Sequence, residues 1–322
     1  MAERATALPT PDDLHAAEAV VRARLRATPL VPAPALGPDA WLKVETLQPT
    51  GSFKVRGALA AIARTRPDDH VVAVSAGNHG LGVAQAAALL GRSATVVVPE
   101  TASPAKVERL RAFPVELVLG GADYDAAERH ALALADRGVF VSPYNDPHVI
   151  AGQRTVGVEI GVQFTGPLTV VVPVGGGGLI SGVALWAAER TDVRVVGVEA
   201  AASRALSAAV RAGRAVDVPI GATLADGMKG NVEPGSVTVT IAARHVDAWV
   251  AVEEREIRAA MRALAFEAGI VTEGSGAAAA AAILGGHVRD DRPGARLVAI
   301  ASGRNITREL LVEVLAEADP AR

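Results

Sequence analysis

Short runs of apolar, often β-branched residues recur along the chain at 71–75, 94–99, 115–119, 168–174, 194–198 and 296–301, with helix-like stretches between them. Each run is largely apolar rather than alternating, as a strand is when both of its faces are covered. Such strands with helices between them predict an α/β fold, a parallel sheet sheathed on both sides. A first helix is expected from Pro11, where Thr10 can cap it and Asp13 places negative charge in the first turn. The alanine-rich run 277–284, between Gly276 and Gly285, reads as a buried helix too short to cross a bilayer. No internal repeat or flexible linker marks a domain border.

Composition narrows the chemistry. A length of 322 residues leaves room for about two domains of ordinary size and a core that needs no disulfide. The absence of cysteine excludes a thiol nucleophile, a zinc–thiolate site and an iron–sulfur cluster. With 32 basic residues against 35 acidic ones and no basic cluster, neither nucleic acid nor an anionic membrane is an expected partner. The stretch Met1 to Arg4 is charged where a secretory signal would need its apolar segment, and no run reaches the roughly 18 apolar residues of a membrane span. A cytoplasmic location is therefore expected.

Four motifs fall at junctions where strands end or helices begin. In Gly51-Ser52-Phe53-Lys54-Val55-Arg56-Gly57 the lysine stands in the first turn of a helix. The positive end of the dipole and a partly apolar site both favour its neutral amine, which suits a Schiff base; read alone, a solvated surface lysine fits as well. Ser75-Ala76-Gly77-Asn78-His79-Gly80 follows a strand and opens a helix, so its backbone N–H groups could grip a carboxylate or phosphate, or simply make a turn. His79 by itself is more often structural. Gly175, Gly176, Gly177 and Gly178 let the backbone wrap a phosphate closely. A dinucleotide loop is the competing reading, with Glu199 at the end of the next strand, but the GxGxxG spacing puts Ile180 or Ser181 in the last place. Ser302-Gly303-Arg304-Asn305 ends the last strand, where ligands of open sheets collect and where a hydroxyl can bond a ring nitrogen. Glu273 is either a pocket acid or the N-terminal charge of the alanine-rich helix.

Taken in order, these motifs resemble the fold-type II enzymes that use pyridoxal 5'-phosphate, which share a tryptophan synthase β-like fold, and within them the branch of threonine/serine dehydratases and serine racemases. The resemblance spans nearly the whole chain. It implies two open α/β domains: a large one of residues 1–69 and 146–322, and a small mobile one of residues 70–145. It implies that Lys54 is catalytic and holds the cofactor, that Phe53 packs near its ring, and that Asn78 bonds its O3' atom. Gly175 to Gly178 would then hold the phosphate, Ser302 the pyridine nitrogen, and the Ser75, Ala76, Gly77, Asn78 and His79 loop the substrate carboxylate. A homodimer is implied as well.

The implied reaction converts a small β-hydroxy amino acid to a 2-oxo acid and ammonia. Related racemases use a serine on the face opposite the lysine, where this chain has Ala76, so dehydration is expected to exceed racemisation. Relatives that bind a divalent cation use an acid matching Glu199 and a second one six residues on, here Ala205, so a metal is not expected. About 20 residues follow Ser302, too few for the regulatory domain of the allosteric biosynthetic dehydratases, and control by such a domain is not expected. Arg304 and Arg154 stand where the family has small residues; each either faces solvent or meets a second carboxylate, as 3-hydroxyaspartate would require. The alternatives are a serine or other amino-acid racemase, a β-replacement enzyme, a nicotinamide-dependent oxidoreductase and a non-catalytic ligand-binding protein.

Overall fold

The computed structural model describes residues 6–135 and 138–318; the charged start at Met1 to Arg4 lies outside the described residues. Two sheets organise the chain. The larger has strand order β1-β2-β10-β7-β8-β9, formed by β1 (Leu30–Pro32), β2 (Ala40–Lys43), β7 (Leu168–Pro173), β8 (Val193–Ala200), β9 (Ala248–Val252) and β10 (Arg296–Ile300). Only β1, at the edge, pairs antiparallel. The smaller sheet, entirely parallel, has order β5-β4-β3-β6, from β3 (Val71–Val74), β4 (Ala94–Val98), β5 (Glu116–Leu119) and β6 (Val139–Phe140).

All six apolar runs became strands; five are largely buried, and the sixth, β5, is a half-exposed edge strand. On β7, Val170 and Val172 pack with α6 (Pro147–Gln163), α7 (Gly178–Ala187), α8 (Ala205–Ala212) and α9 (Val237–His245). Val171 points the other way, toward α10 (Glu254–Glu267), α11 (Gly274–Leu284) and α12 (Arg308–Ala316). Successive side chains of a strand serve opposite faces, so a sheathed strand has no polar position to spare. The alanine run of α11 is fully buried against this second face. Around the smaller sheet, α3 (Asn78–Leu90) and α4 (Pro104–Arg111) cover one side and α5 (Tyr124–Leu134) the other.

The first helix, α1 (Pro11–Arg24), opens with the expected cap: the Asp13 amide donates to the Thr10 hydroxyl at 3.2 Å, and the Thr10 amide returns a bond to the Asp13 carboxylate at 2.9 Å. The next, α2 (Lys54–Ala63), lies between α3 and α6 and is buried along almost its whole length. Its one arginine, Arg56, is completely enclosed. It donates to both oxygens of Glu45 at 2.7 and 2.8 Å and to both oxygens of Glu159 at 2.7 and 2.8 Å. Lys43 completes the cluster, donating to Glu159 at 2.6 Å and to the Thr28 carbonyl at 2.7 Å. A buried cation paired in this way fixes the rotation of the helix, and with it the direction of Lys54 two residues away.

Candidate active site

The carboxyl ends of β3, β7 and β10 carry the three loops singled out in the sequence, and α2 begins beside the third. Ser52 and Gly303 form a bridge, the Phe53 amide donates to the Ser302 carbonyl at 3.1 Å, and the Arg304 amide donates to the Gly51 carbonyl at 2.9 Å. Lys54 and Ser302, distant in sequence, are thereby held on adjoining backbones. The Lys54 ammonium donates to the Pro143 carbonyl at 2.7 Å and lies 5.3 Å from the centre of the Phe53 ring. Burial destabilises that ammonium and lowers its pKa to about 8, with the nearby Glu273 carboxylate opposing the shift.

The tetraglycine turn follows β7 directly. Gly177, at φ +95°, caps α7 in a conformation that favours glycine, and α7 starts at Gly178. At Gly176 a Cβ would sit 2.4 Å from the Tyr144 ring, so the missing side chain lets an aromatic lie against the loop. The Tyr144 hydroxyl accepts a bond from the Glu233 amide at 3.0 Å, which pins that ring. The first N–H groups of α7 have no acceptor within their own helix, and the dipole adds positive potential there. An anion fits this cradle.

The β3–α3 loop supplies the third part. The Ser75 hydroxyl accepts from the Gly77 amide at 2.9 Å, and Asn78 opens α3. The Asn78 amide donates to Glu273 at 2.6 Å, and its oxygen accepts a bond from Asn305. Burial pushes the Glu273 carboxyl up, with the Asn78 bond opposing. Glu273 thus faces Asn78 as well as preceding α11. The Ser302 hydroxyl is buried and makes only a long contact, 3.4 Å, with the Ser275 carbonyl, leaving it free to turn to a better partner.

The His79 imidazole takes the structural part that a lone histidine more often plays: it is 4% exposed, bonds the Val141 carbonyl through Nε2 at 2.9 Å, and is held neutral with a pKa of about 3 by burial and the Lys54 charge. Arg154 meets no substrate, because its guanidinium is paired with Glu189 at 2.7 Å and Glu18 at 3.6 Å. Arg304 is exposed and lines a groove of about 570 Å³ with Leu47, Ile270 and Val271, whose lining does not include Lys54. Glu199 caps α8, accepting from the Leu206 and Ser207 amides at 2.9 and 3.1 Å. Among the described residues no three His, Asp or Glu side chains gather in a way that would hold a metal.

Sequence reasoning missed the segment 143–145, where a main-chain carbonyl receives Lys54 and a tyrosine covers the glycines. A backbone acceptor leaves no trace in a residue pattern. It also missed the partners of Arg56, although a lone arginine inside the apolar helix KVRGALAAIA signals a buried charge that must be paired.

An activated lysine, an anion cradle at a helix start and a polar tip on the neighbouring strand suit a cofactor that carries both an aldehyde and a phosphate. The chain belongs to the family of pyridoxal-phosphate dependent enzymes, whose family model matches residues 21–303. It is 41% identical over 285 residues to the L-threonine ammonia-lyase of Thermotoga maritima, an alignment covering 87% of this chain and 70% of that protein. Maize serine racemase has a similar structure, with a TM-score of 0.88 and 28% identity over 95% of this chain and 97% of that one. The processed form of threonine deaminase isoform 2 from Solanum lycopersicum gives a TM-score of 0.86 and 31% identity over 99% of this chain and 97% of that one. The fold is that of the fold-type II enzymes, as the motifs implied.

Proposed function

We propose that the protein is an ammonia-lyase that converts L-threonine or L-serine to a 2-oxo acid and ammonia. The observation that carries this is the Lys54 amine, brought to a pKa of about 8 beside Phe53 and Ser302. The residues present fit pyridoxal 5'-phosphate: the tetraglycine turn after β7 brings bare backbone to the start of α7, packed so closely that a Cβ at Gly176 or Gly177 would strike Tyr144 or Leu206, and Lys54 is a buried amine whose pKa is lowered to about 8. Lys54 would bear the cofactor, Gly175 to Gly178 its phosphate, Asn78 its phenolic oxygen, Ser302 its ring nitrogen, and Phe53 one flank of its ring. When bound, the cofactor supplies an electron sink for the charge left as Cα of the amino acid loses its proton.

The chain's own residues do the rest. Lys54, once free, removes the Cα proton, and a pKa near the ambient pH makes it an efficient base. The amides of the Ser75-Ala76-Gly77-Asn78 loop, at the start of α3, receive the substrate carboxylate. Ala76 offers a methyl group where a racemase would need a second acid, which favours loss of the β-hydroxyl over return of the proton to the other face. A neutral Ser302 at the ring nitrogen does not force its protonation.

The same proposal includes movement of residues 70–145 against the remainder, a homodimer, and a cytoplasmic location. Among the described residues no helix is long and apolar enough to cross a membrane. The test is release of 2-oxo acid by the purified holoenzyme from a panel of β-hydroxy amino acids of both configurations. L-threonine and L-serine are expected to be turned over, with interconversion of serine enantiomers far slower. Rapid racemisation without 2-oxo acid would replace the proposed reaction, and no turnover of any member would end it.

A further inference from the structure

Between Glu273 and the rim of the site runs an unbroken line of side-chain hydrogen bonds. Arg109, on α4, donates from Nη2 to Asn305 Oδ1 at 2.7 Å. Asn305 Nδ2 donates to the Thr50 carbonyl at 2.9 Å and to Asn78 Oδ1. Asn78 Nδ2 in turn donates to Glu273 Oε1 at 2.6 Å. The polarity of this line is set at its ends. A guanidinium has only donors, a peptide carbonyl only accepts, and a carboxyl group keeps an accepting oxygen in either protonation state. Turning either asparagine amide over would bring N–H against N–H and oxygen against oxygen, so one orientation of each satisfies the line.

Resting on the cofactor reading given above, we infer that Arg109 is a positioning residue: through Asn305 it holds the Asn78 amide with its NH₂ group toward the cofactor's phenolic oxygen. Asn78 has two N–H bonds and Glu273 takes one, which leaves the other to donate. Arg109 belongs to the helix that covers the smaller sheet, whereas Asn305 follows the last strand of the larger one. Cofactor affinity is thereby tied to the docking of α4 against the larger sheet. A second tie from the same helix, the Lys106–Asp226 ion pair at 3.1 Å, touches neither asparagine and serves as an internal control.

The experiment titrates the full-length apoprotein with pyridoxal 5'-phosphate and follows both the dissociation constant and the pH midpoint of the bound cofactor's visible band. Arg109→Ala is expected to weaken binding about fivefold, the worth of a partly exposed charge-assisted bond, and to raise the band's midpoint, because a phenolate that loses a donor becomes more basic. Arg109→Lys, which can still only donate, should recover most of both effects. Lys106→Ala, which removes a charge that acts on Glu273 but no bond of the line, should leave the affinity within about twofold. Unchanged affinity and midpoint in Arg109→Ala would overturn the inference, and so would equal losses in Arg109→Ala and Lys106→Ala, which would make Arg109 a tether and nothing more. Failure of the unaltered chain to bind the cofactor at all would be a distinct result, ending the reading on which the inference rests and the inference with it.

Discussion

Beneath Lys54, Arg56 and Glu45 form an ion pair with both side chains at 0% exposure, whereas at the rim Lys106 and Asp226 face each other at 33% and 70%. Both are cation–carboxylate contacts, yet they hold the site in different ways. In the interior, neither partner can fall back on water, so the pair sets the rotation of α2 and tolerates no vacancy. At the rim, water replaces either partner at little cost. The site therefore has a floor set by buried charge, beneath Lys54, and a rim whose Lys106–Asp226 pair is exposed to solvent.

Three substitutions would break or sharpen this contrast. Arg56→Ala should destabilise the protein by about 3–5 kcal/mol in urea melts, because Glu45 stays fully buried without its guanidinium while Glu159 keeps only Lys43 as a cation. An effect below about 1 kcal/mol would place the cluster with ordinary surface pairs. His79 gives an intermediate case with a pH signature. Its folded-state pKa of about 3 lies below the ordinary 6.5, so the unfolded chain takes up the proton first and stability falls as pH drops from 6.5 toward 3. The expected slope is about 1.4 kcal/mol per pH unit within that window, and His79→Gln should remove this part of the pH dependence of the melts. Lys106→Ala should cost less than about 0.5 kcal/mol. A larger loss would mean that the rim is as firmly fixed as the floor.

The sequence made the sheathed strands legible because burial on both faces strips a strand of polar residues. Where that pressure is absent the edge strand β5 still showed in its β-branched run, but three short or half-exposed strands did not. β1 ends in Pro32 at a sheet edge, β6 has two residues, and β9 has only Val252 fully buried. The site divides similarly. Lys54 and the four glycines announce themselves because local geometry demands those residue types. Arg154 looked like a candidate for substrate because its partners, Glu18 and Glu189, lie far away in the chain and only the fold joins them. Arg109 gave no signal for the same reason, its partner Asn305 being 196 residues distant. The structural part of His79 fits the prior for a lone histidine, but its partner, the Val141 carbonyl, is a backbone acceptor that no residue pattern shows.

Lys43 and Lys54 are both buried, but Lys43 is paired with Glu159 whereas Lys54 stands beside Phe53 and the Ser302 strand, prepared to carry the cofactor. That role of Lys54 is tested most directly by mixing the apoprotein with pyridoxal 5'-phosphate across a range of pH, trapping with borohydride and mapping the labelled peptide. The expected result is label on Lys54, with capture half-maximal near pH 8 because the amine is neutral above that value. Label on another lysine, or capture at Lys54 that rises only toward the ordinary value of 10.5, would contradict the account.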